Sequence, residues 1–178
     1  INIGGRDLDT VSKIYESIVS DFMADDFKLS HRDYHSKNIM LTGNSFKIID
    51  FQDALLAPAF YDLASLLRDS YVDLDESFID RSFKFYAQEK RNAQNKVADN
   101  DEQRRRFDNI SIQRNLKAAG RFVFIMIKKN NPSYIRYIPS TLKKALHNIE
   151  KHYPRHLSIV MRGYFERICE KIQREFNI

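Results

Sequence analysis

Apolar residues recur at helical spacing over most of this chain, with one interruption near the start. Their spacing predicts a first helix over about Leu8–Ala24. After residue 53 the remaining segments also read as helical. The predicted helices there cover Pro58–Tyr71, Asp75–Arg91, Glu102–Lys129 with a bend at Gly120, Pro139–Pro154 with Ser140 as its N-cap, and a last segment ending near Phe176, and Gln88–Asp101 is the predicted internal loop.

Three short β-rich segments fill the interruption. Phe27–Ser30 is the first, and Asn38–Thr42 and Ser45–Asp50 flank a Gly-Asn dipeptide that is typical of hairpin turns. With a three-residue turn, Asn38 lies opposite Asp50, whereas a two-residue turn shifts the register by one and leaves them as near neighbours. Either register brings an amide and a carboxylate together at the open end of the hairpin.

Composition narrows the class of protein. The chain has 178 residues, 43% of them hydrophobic and 30% charged, which suits one globular domain with a real core. No apolar run approaches the roughly 18 residues of a membrane span. Cys169 is the single cysteine and cannot form an internal disulfide. We therefore expect a cytoplasmic protein with no membrane partner.

The net charge of +5 and the pI of about 9.2 raise the question of nucleic-acid binding. The basic residues alternate with acidic ones on the predicted helix faces, and the densest run, Glu102–Asp108, is flanked by carboxylates. Such an arrangement is typical of a solvated helix face. No nucleic-acid partner is expected.

The polar residues around the hairpin indicate phosphate chemistry. Asp33, Asn38 and Asp50 offer only oxygen ligands, which Mg²⁺ prefers when nucleotide phosphates complete its shell. His31 and His35 have the spacing of a zinc pair only if they lie on a helix, and this segment follows a strand, so zinc is not expected. Asp33 could accept the proton of an attacking hydroxyl, or orient that hydroxyl for phosphoryl transfer.

Three segments carry a family resemblance: HRDYHSKN at 31–38, IIDFQDA at 48–54 and YDLASLLRDSY at 61–71. Together they resemble the aminoglycoside phosphotransferase and choline kinase-like superfamily, small-molecule relatives of the protein kinases. With IQRNLKAAGRF at 112–122, they resemble the bacterial branch of cell-wall-recycling kinases that act on N-acetylmuramate and N-acetylglucosamine. The resemblance is specific in the first three segments and looser in the C-terminal helices.

The resemblance implies a role for each matching residue. Asp33 would be the catalytic aspartate, and Asn38 and Asp50 would bind Mg²⁺ beside ATP. Asp62 would hold the catalytic loop by accepting backbone hydrogen bonds, and His31 would be the scaffold of that loop. Further residues would border the phosphates or the substrate: His35 in the loop, Asp53 as an outer-shell acid, and Arg68, Asp69 and Arg114 facing the sugar.

The implied fold is mainly α with a small β-hairpin region, the C-terminal lobe of a protein kinase-like fold. Residues 1–178 would form this lobe, with the catalytic loop and metal-binding hairpin at 27–53 and a helical subdomain at 54–178. The Gly-rich loop and strand lysine of an N-terminal lobe have no counterpart in the sequence. We therefore expect the N-terminal lobe of the same polypeptide to be missing, and the fragment alone to be inactive.

The expected function is ATP-dependent phosphorylation of a hydroxyl on a small-molecule substrate, above all an amino sugar. An aminoglycoside or choline/ethanolamine kinase is the alternative within the enzymes, because the carboxylates near Asp69 suit a cationic substrate. A catalytically silent kinase-like binding module is the alternative from another class. The intact catalytic and metal-binding residues disfavour it.

Overall fold

The computed structural model describes residues 4–94 and 100–177, and helices make up most of them. The helices are α1 (Gly5–Ala24), α2 (Tyr61–Leu67), α3 (Glu76–Gln94), α4 (Asn100–Lys129), α5 (Ile138–His152) and α6 (Arg155–Phe176); the strands are β1 (Phe27–Ser30), β2 (Ile39–Thr42), β3 (Ser45–Ile48) and β4 (Leu55–Pro58); short 3₁₀ turns cover Ser36–Asn38 and Pro132–Tyr137. The expectation of a mainly helical chain with a small β region is confirmed. None of the helices in the described ranges combines the length and apolar content that a membrane crossing requires.

The four strands pair as two separate antiparallel ribbons. β2 and β3 form the predicted hairpin, and Thr42 lies opposite Ser45, so the turn has two residues. β1 pairs with β4, which brings Phe27 opposite Pro58. The sequence does not predict β4, because its four residues lack an alternating pattern and gain their strand partner only through the tertiary fold.

The larger hydrophobic core lies where α1, α4, α5 and α6 meet. On α1, Ile14 and Ile18 are buried one turn apart, whereas Tyr15 and Val19, each one residue further along, are 47% and 56% exposed. Only one stripe of the helix therefore faces the core. Other helices contribute Ile112, Ile138, Leu142, Ala145, Ile149, Met161 and Phe165 to this core.

A second core joins α2, α3 and α4 through aromatic contacts. The rings of Phe60, Phe83 and Phe107 have centroids 5.8, 6.4 and 5.2 Å apart, distances typical of attractive aromatic pairs. Phe78 and Phe85 of the same helix as Phe83 are 43% and 68% exposed. The buried stripe of α3 follows every fourth residue through Phe83, and these two phenylalanines lie off it.

Several element boundaries differ from the predicted ones. α2 covers only Tyr61–Leu67, so the first residues of the predicted Pro58–Tyr71 helix belong to β4 and the last ones to a loop. α3 continues to Gln94 and α4 begins at Asn100, which shortens the predicted loop Gln88–Asp101 on both sides. Positions 95–99 of that loop lie outside the described residues.

One predicted feature of the C-terminal helices is wrong, and another stays a prediction. α4 is helical throughout Asn100–Lys129, and a bend of its axis at Gly120 stays a prediction. α5 begins at Ile138, so Ser140 lies inside the helix, and its hydroxyl donates a hydrogen bond to the Tyr137 carbonyl oxygen instead of capping the helix. The predicted ends of α1 and α6, at Ala24 and Phe176, agree with the structure.

Large apolar side chains are exposed along the two strand ribbons. Leu29, Leu41, Phe46 and Leu56 of the strands are exposed, and so is Phe51 in the loop between β3 and β4. Single exposed apolar residues are normal, but several in neighbouring strands give this end of the chain an apolar character.

Asp108 of α4 is fully buried and accepts hydrogen bonds from two helices. Its Oδ2 atom lies 2.7 Å from His152 Nε2, 2.9 Å from Lys151 Nζ and 3.0 Å from Arg104 Nε. Burial alone would raise the pKa of Asp108, but the hydrogen bond from His152 and the charges of Arg104 and Lys151 lower it to about 2. The carboxylate therefore ties α4 to the end of α5.

Replacing Asp108 with asparagine (Asp108→Asn) should lower the free energy of unfolding by roughly 3 kcal/mol at neutral pH, because buried donors lose their charged acceptor. Because the pKa is lower in the folded state than in the unfolded chain, wild-type stability from this group should be lost as the pH falls from about 4 to about 2. The variant should lose less over that range. Urea unfolding followed by circular dichroism measures both effects. Glu166→Gln, at an exposed position of α6, is the control, and equal stability of the two variants would contradict the role of Asp108.

Candidate active site

The loop that follows β1, residues 31–38, carries Asp33 and is called the Asp33 loop below. Asp62, in the first turn of α2, accepts hydrogen bonds from the backbone N–H of His31 at 2.7 Å and of Arg32 at 2.9 Å. Arg32 has a left-handed φ of 73°, which is uncommon for a residue other than glycine. The two bonds to Asp62 hold this conformation and fix the start of the loop.

Asp69 attaches the same loop at a second point. Its carboxylate accepts the backbone N–H of Ser36 and that of Tyr71, each at 2.8 Å. Arg68 is buried as well, and its guanidinium forms a two-pronged ion pair with Glu76. Both residues border the cavity described below, but these internal bonds occupy both oxygens of Asp69 and both terminal nitrogens of Arg68. The arrangement does not support the expectation that Arg68 and Asp69 contact a sugar.

Asn38 and Asp50 come together at the open end of the hairpin. The two-residue turn makes them near neighbours, the second of the two registers that the sequence allows. Asn38 Nδ2 lies 3.4 Å from Asp50 Oδ2 and donates a hydrogen bond to the Asp33 carbonyl oxygen at 2.9 Å. Gln52 Nε2 donates to Asp50 Oδ1 at 2.7 Å. Asp50 is left-handed, with φ of 68°, a conformation that aspartate adopts more readily than most residues.

The donor set at this point fits a hard cation. The bond to the Asp33 carbonyl fixes the amide nitrogen of Asn38, which leaves the amide oxygen as the end that can bind a metal beside the Asp50 carboxylate. Within residues 4–94 and 100–177, no group of three or more His, Cys, Asp or Glu side chains could hold a metal by itself. Mg²⁺ needs no such group, because it takes one or two protein ligands and fills its shell with phosphate oxygens and water.

The two histidines of the Asp33 loop lie in different environments. His31 Nε2 lies 2.8 Å from the carbonyl oxygen of Ile49, a contact that ties the loop to the end of the hairpin. His35 packs edge-on against Tyr71, with ring centroids 5.3 Å apart, and borders the cavity. Burial lowers the pKa of His35, although two nearby carboxylates act in the opposite direction. The ring is therefore neutral at pH 7.

A cavity of about 420 Å³ opens beside Asp33. The same cavity is bordered by Asp50 and Asp53, which follow the hairpin. Arg32 Nη1 donates a hydrogen bond to the Asp53 carbonyl oxygen at 3.2 Å. A phosphoryl group near Asp50 could therefore meet an acceptor near Asp33 within one space. Residues of α4 border the cavity as well, and three basic residues of that helix, called the basic wall below, are Arg114, Lys117 and Arg121.

Arg114 connects the basic wall to Asp33. Its Nη2 atom lies 3.8 Å from Asp33 Oδ1, and its Nη1 donates to the Tyr61 hydroxyl at 2.9 Å. Lys117 Nζ donates to the same hydroxyl at 3.4 Å. Burial alone would raise the pKa of Tyr61, but Arg114 and Lys117 together lower it below its usual value. The two cations on the Tyr61 hydroxyl therefore give this side of the cavity a positive potential.

Sequence reasoning misses Lys117 and Arg121, which lie beside the expected wall residue Arg114. Their spacing of i, i+3 and i+7 is the signal that could find them, because it puts side chains on one face of a helix. Lys37 is missed as well. Its Nζ lies 3.6 Å from the ring centroid of Tyr71 and 5.2 Å from two further tyrosine rings. These cation–π contacts anchor the end of the Asp33 loop on an aromatic cluster.

Residues 17–98 match the model of the APH phosphotransferase enzyme family. The matched range contains the Asp33 loop, the hairpin and Asp62, the parts of the site whose geometry is described above. The resemblance of the motifs to the aminoglycoside phosphotransferase and choline kinase-like superfamily is confirmed.

The relatives point to one branch of that superfamily. Over 124 residues the chain is 36% identical to a protein of Neisseria meningitidis serogroup B named N-acetylmuramate/N-acetylglucosamine kinase, and the alignment covers 69% of this chain and 37% of that protein. Proteins of the same name from Pseudomonas putida and Pseudomonas aeruginosa are 28% identical over 131 and 140 residues, or 73% and 78% of this chain and 39% and 41% of theirs. The chain thus spans about two fifths of the length of the curated relatives it matches. These matches support a kinase role.

Removing the Asp62 carboxylate (Asp62→Ala) should release the Asp33 loop while the helical cores stay folded. We expect amide hydrogen exchange at His31 and Arg32 to accelerate by roughly tenfold or more, because each N–H loses a charged acceptor worth about 1.5–3 kcal/mol. Hydrogen exchange followed by NMR measures this directly. Asp53→Asn, which changes an exposed carboxylate at the same cavity, should leave both amides protected. Unchanged exchange in Asp62→Ala would show that other contacts hold the loop.

Proposed function

We propose that this chain is the catalytic part of an ATP-dependent kinase that phosphorylates a hydroxyl group of an amino sugar in the cytoplasm. The observation that carries the proposal is the arrangement of Asp33 and Asp50 at one cavity, with Asn38 bridging them. This arrangement lies inside the segment that matches a phosphotransferase family. The relatives named N-acetylmuramate/N-acetylglucosamine kinase support an amino sugar as the acceptor.

Each residue of the site has a task in this proposal. Asp33 accepts a hydrogen bond from the acceptor hydroxyl and orients it for attack, which is the main demand that a loose phosphoryl-transfer transition state makes on the protein. Asn38 and Asp50 would hold Mg²⁺, which when bound neutralises charge on the nucleotide phosphates. His31 and Asp62 keep the Asp33 loop in position through the contacts to the hairpin and to the loop backbone.

The domain assignment is part of the proposal. Residues 27–53 would supply the catalytic loop and metal-binding hairpin, and residues 54–178 the helical subdomain of a kinase-like C-terminal lobe. His35 and Asp53 border the cavity and would contact the phosphates or the substrate. The activity is proposed for the whole protein, in which an N-terminal lobe would cover the nucleotide, and the 178 residues alone should turn over poorly.

The alternatives give different results in a single acceptor panel. An aminoglycoside or choline/ethanolamine kinase would act on cationic acceptors, and a silent binding module would act on none. The basic wall disfavours a cationic acceptor, because like charges facing each other in a binding site are costly.

Turnover by the complete protein that contains this chain should depend on Asp33 and Asp50. Asp33→Asn should lower kcat roughly 100-fold or more with an amino sugar, because a positioned acid–base group contributes about 10²–10⁴-fold. Asp50→Asn should raise the Mg²⁺ concentration needed for half-maximal rate, because one of the two protein ligands loses its charge. ADP release measured over amino sugars, aminoglycosides and choline gives both results.

Asp73→Asn is the matched control, because this carboxylate is exposed and does not border the cavity, and it should retain wild-type turnover. Equal turnover in the wild type and in both site variants would rule out the kinase proposal. Turnover with aminoglycosides or choline alone would assign a cationic acceptor. Absence of turnover with every acceptor would favour the binding module.

A further inference from the structure

We propose that the acceptor carries a carboxylate and that the basic wall of α4 binds it. This inference rests on the proposed kinase function and adds the charge of the substrate and the residues that recognise it. Of the two sugars in the names of the relatives, N-acetylmuramate carries a carboxylate and N-acetylglucosamine does not. The protein should therefore prefer N-acetylmuramate, and the preference should reside in Lys117 and Arg121.

The basic wall is a preformed feature of one helix. Arg114, Lys117 and Arg121 are spaced three and four residues apart, and all three border the cavity that Asp33 borders. α4 is uninterrupted over these positions, so the backbone places the three residues on one face of the helix before any ligand arrives. The exposed side chains of Lys117 and Arg121 are still ordered when a ligand binds.

The positive charge of the basic wall is only partly neutralised within the protein. Arg114 approaches Asp33 at 3.8 Å, a long distance for an ion pair. Within the described residues, neither Lys117 nor Arg121 forms an ion pair with a carboxylate. Lys117 contacts a tyrosine hydroxyl, and the guanidinium of Arg121 lies 5.1 Å from the ring centroid of Phe124. Uncompensated charges of one sign along a cleft favour a ligand of the opposite sign.

Four carboxylates border the cavity: Asp33, Asp50, Asp53 and Asp69. Within the described residues, none of them forms an ion pair with Lys117 or Arg121. Asp69 accepts backbone N–H groups of the loops, and Asp50 accepts the amides of Asn38 and Gln52 at the hairpin. A negative group on the ligand would therefore meet Lys117 and Arg121 without displacing an ion-pair partner.

The position of the basic wall indicates the acceptor as the source of the negative group. Arg114 reaches Asp33, the residue proposed to hold the acceptor hydroxyl. Within the described part of the chain, no residue of the basic wall forms an ion pair with Asp50, the proposed metal ligand at the nucleotide end. A carboxylate on the acceptor would meet Lys117 and Arg121 while its hydroxyl remained at Asp33. A nucleotide phosphate has the same kind of charge, so the experiment must separate the two sources.

The test compares the two sugars, because they share most of their structure and differ in the carboxylate. Titration calorimetry without nucleotide measures the Kd of each sugar for the complete protein, for Lys117→Gln, for Arg121→Gln and for the double variant. Each single variant should weaken N-acetylmuramate binding by roughly fivefold, the change expected from losing one partly exposed ion pair, and the double variant should weaken it further. N-acetylglucosamine binding should change by less than about twofold.

Lys128→Gln is the matched control, since Lys128 is an exposed cation of the same helix that does not border the cavity. It should leave the Kd of both sugars unchanged. Added salt should weaken binding of N-acetylmuramate more than binding of N-acetylglucosamine, because screening acts on the charge pair alone.

Three results would overturn the inference. The first is wild-type binding that does not favour N-acetylmuramate, and the second is an equal effect of the variants on both sugars. The third is a raised KM for ATP in the variants with unchanged sugar binding, which would assign the basic wall to the nucleotide phosphates. The kinase proposal fails by a different result. It fails if the bound sugar is not phosphorylated when ATP and Mg²⁺ are supplied, whereas the binding comparison decides the carboxylate independently of turnover.

Discussion

Two carboxylates of the helical region, Asp62 and Asp69, hold the loop that carries Asp33. Each accepts two backbone N–H groups, and Asp62 supports the left-handed conformation of Arg32. Such a conformation costs about 1–2 kcal/mol in a residue with a side chain. Hydrogen bonds to a charged acceptor, worth roughly 1.5–3 kcal/mol each, can offset that cost. The position of Asp33 thus depends on Asp62 of α2 and on Asp69 of the loop that follows it, about 30 positions further along the chain. Any activity of the Asp33 loop therefore depends on the packing of α2.

Two chemically different groups border the cavity, and each contacts Asp33. At the hairpin, Asn38 and Asp50 present oxygen atoms suited to a hard cation. On α4 the basic wall presents positive charge, and Arg114 of that wall reaches Asp33. The Asp50 carboxylate favours a bound cation and the basic wall favours an anion, so the two groups are suited to different parts of a bound complex. The neutral ring of His35 adds no charge to the cavity at pH 7.

Local patterns in the sequence were enough to predict the hairpin, most of the helices and the proximity of Asn38 and Asp50, because turn chemistry and register determine these features over a few residues. Features that depend on residues far apart in the chain could not be predicted from the sequence. β4 forms only by pairing with β1. The buried guanidinium of Arg68 donates hydrogen bonds to Glu76 and to a residue of α5. The charges of α4 were visible in their spacing, but the sequence alone does not say which face of that helix meets the cavity.

α4 contributes to both hydrophobic cores and carries the basic wall on one unbroken helix of 30 residues, about 45 Å long. Each residue of an α-helix adds a rotation of about 100°. Inserting or deleting one residue between Phe107 and Arg114 would therefore turn the cations away from the cavity, although every basic residue would still be present. When homologous proteins are aligned, a gap in this stretch of the helix is a stronger sign of altered substrate choice than the loss of any single arginine or lysine.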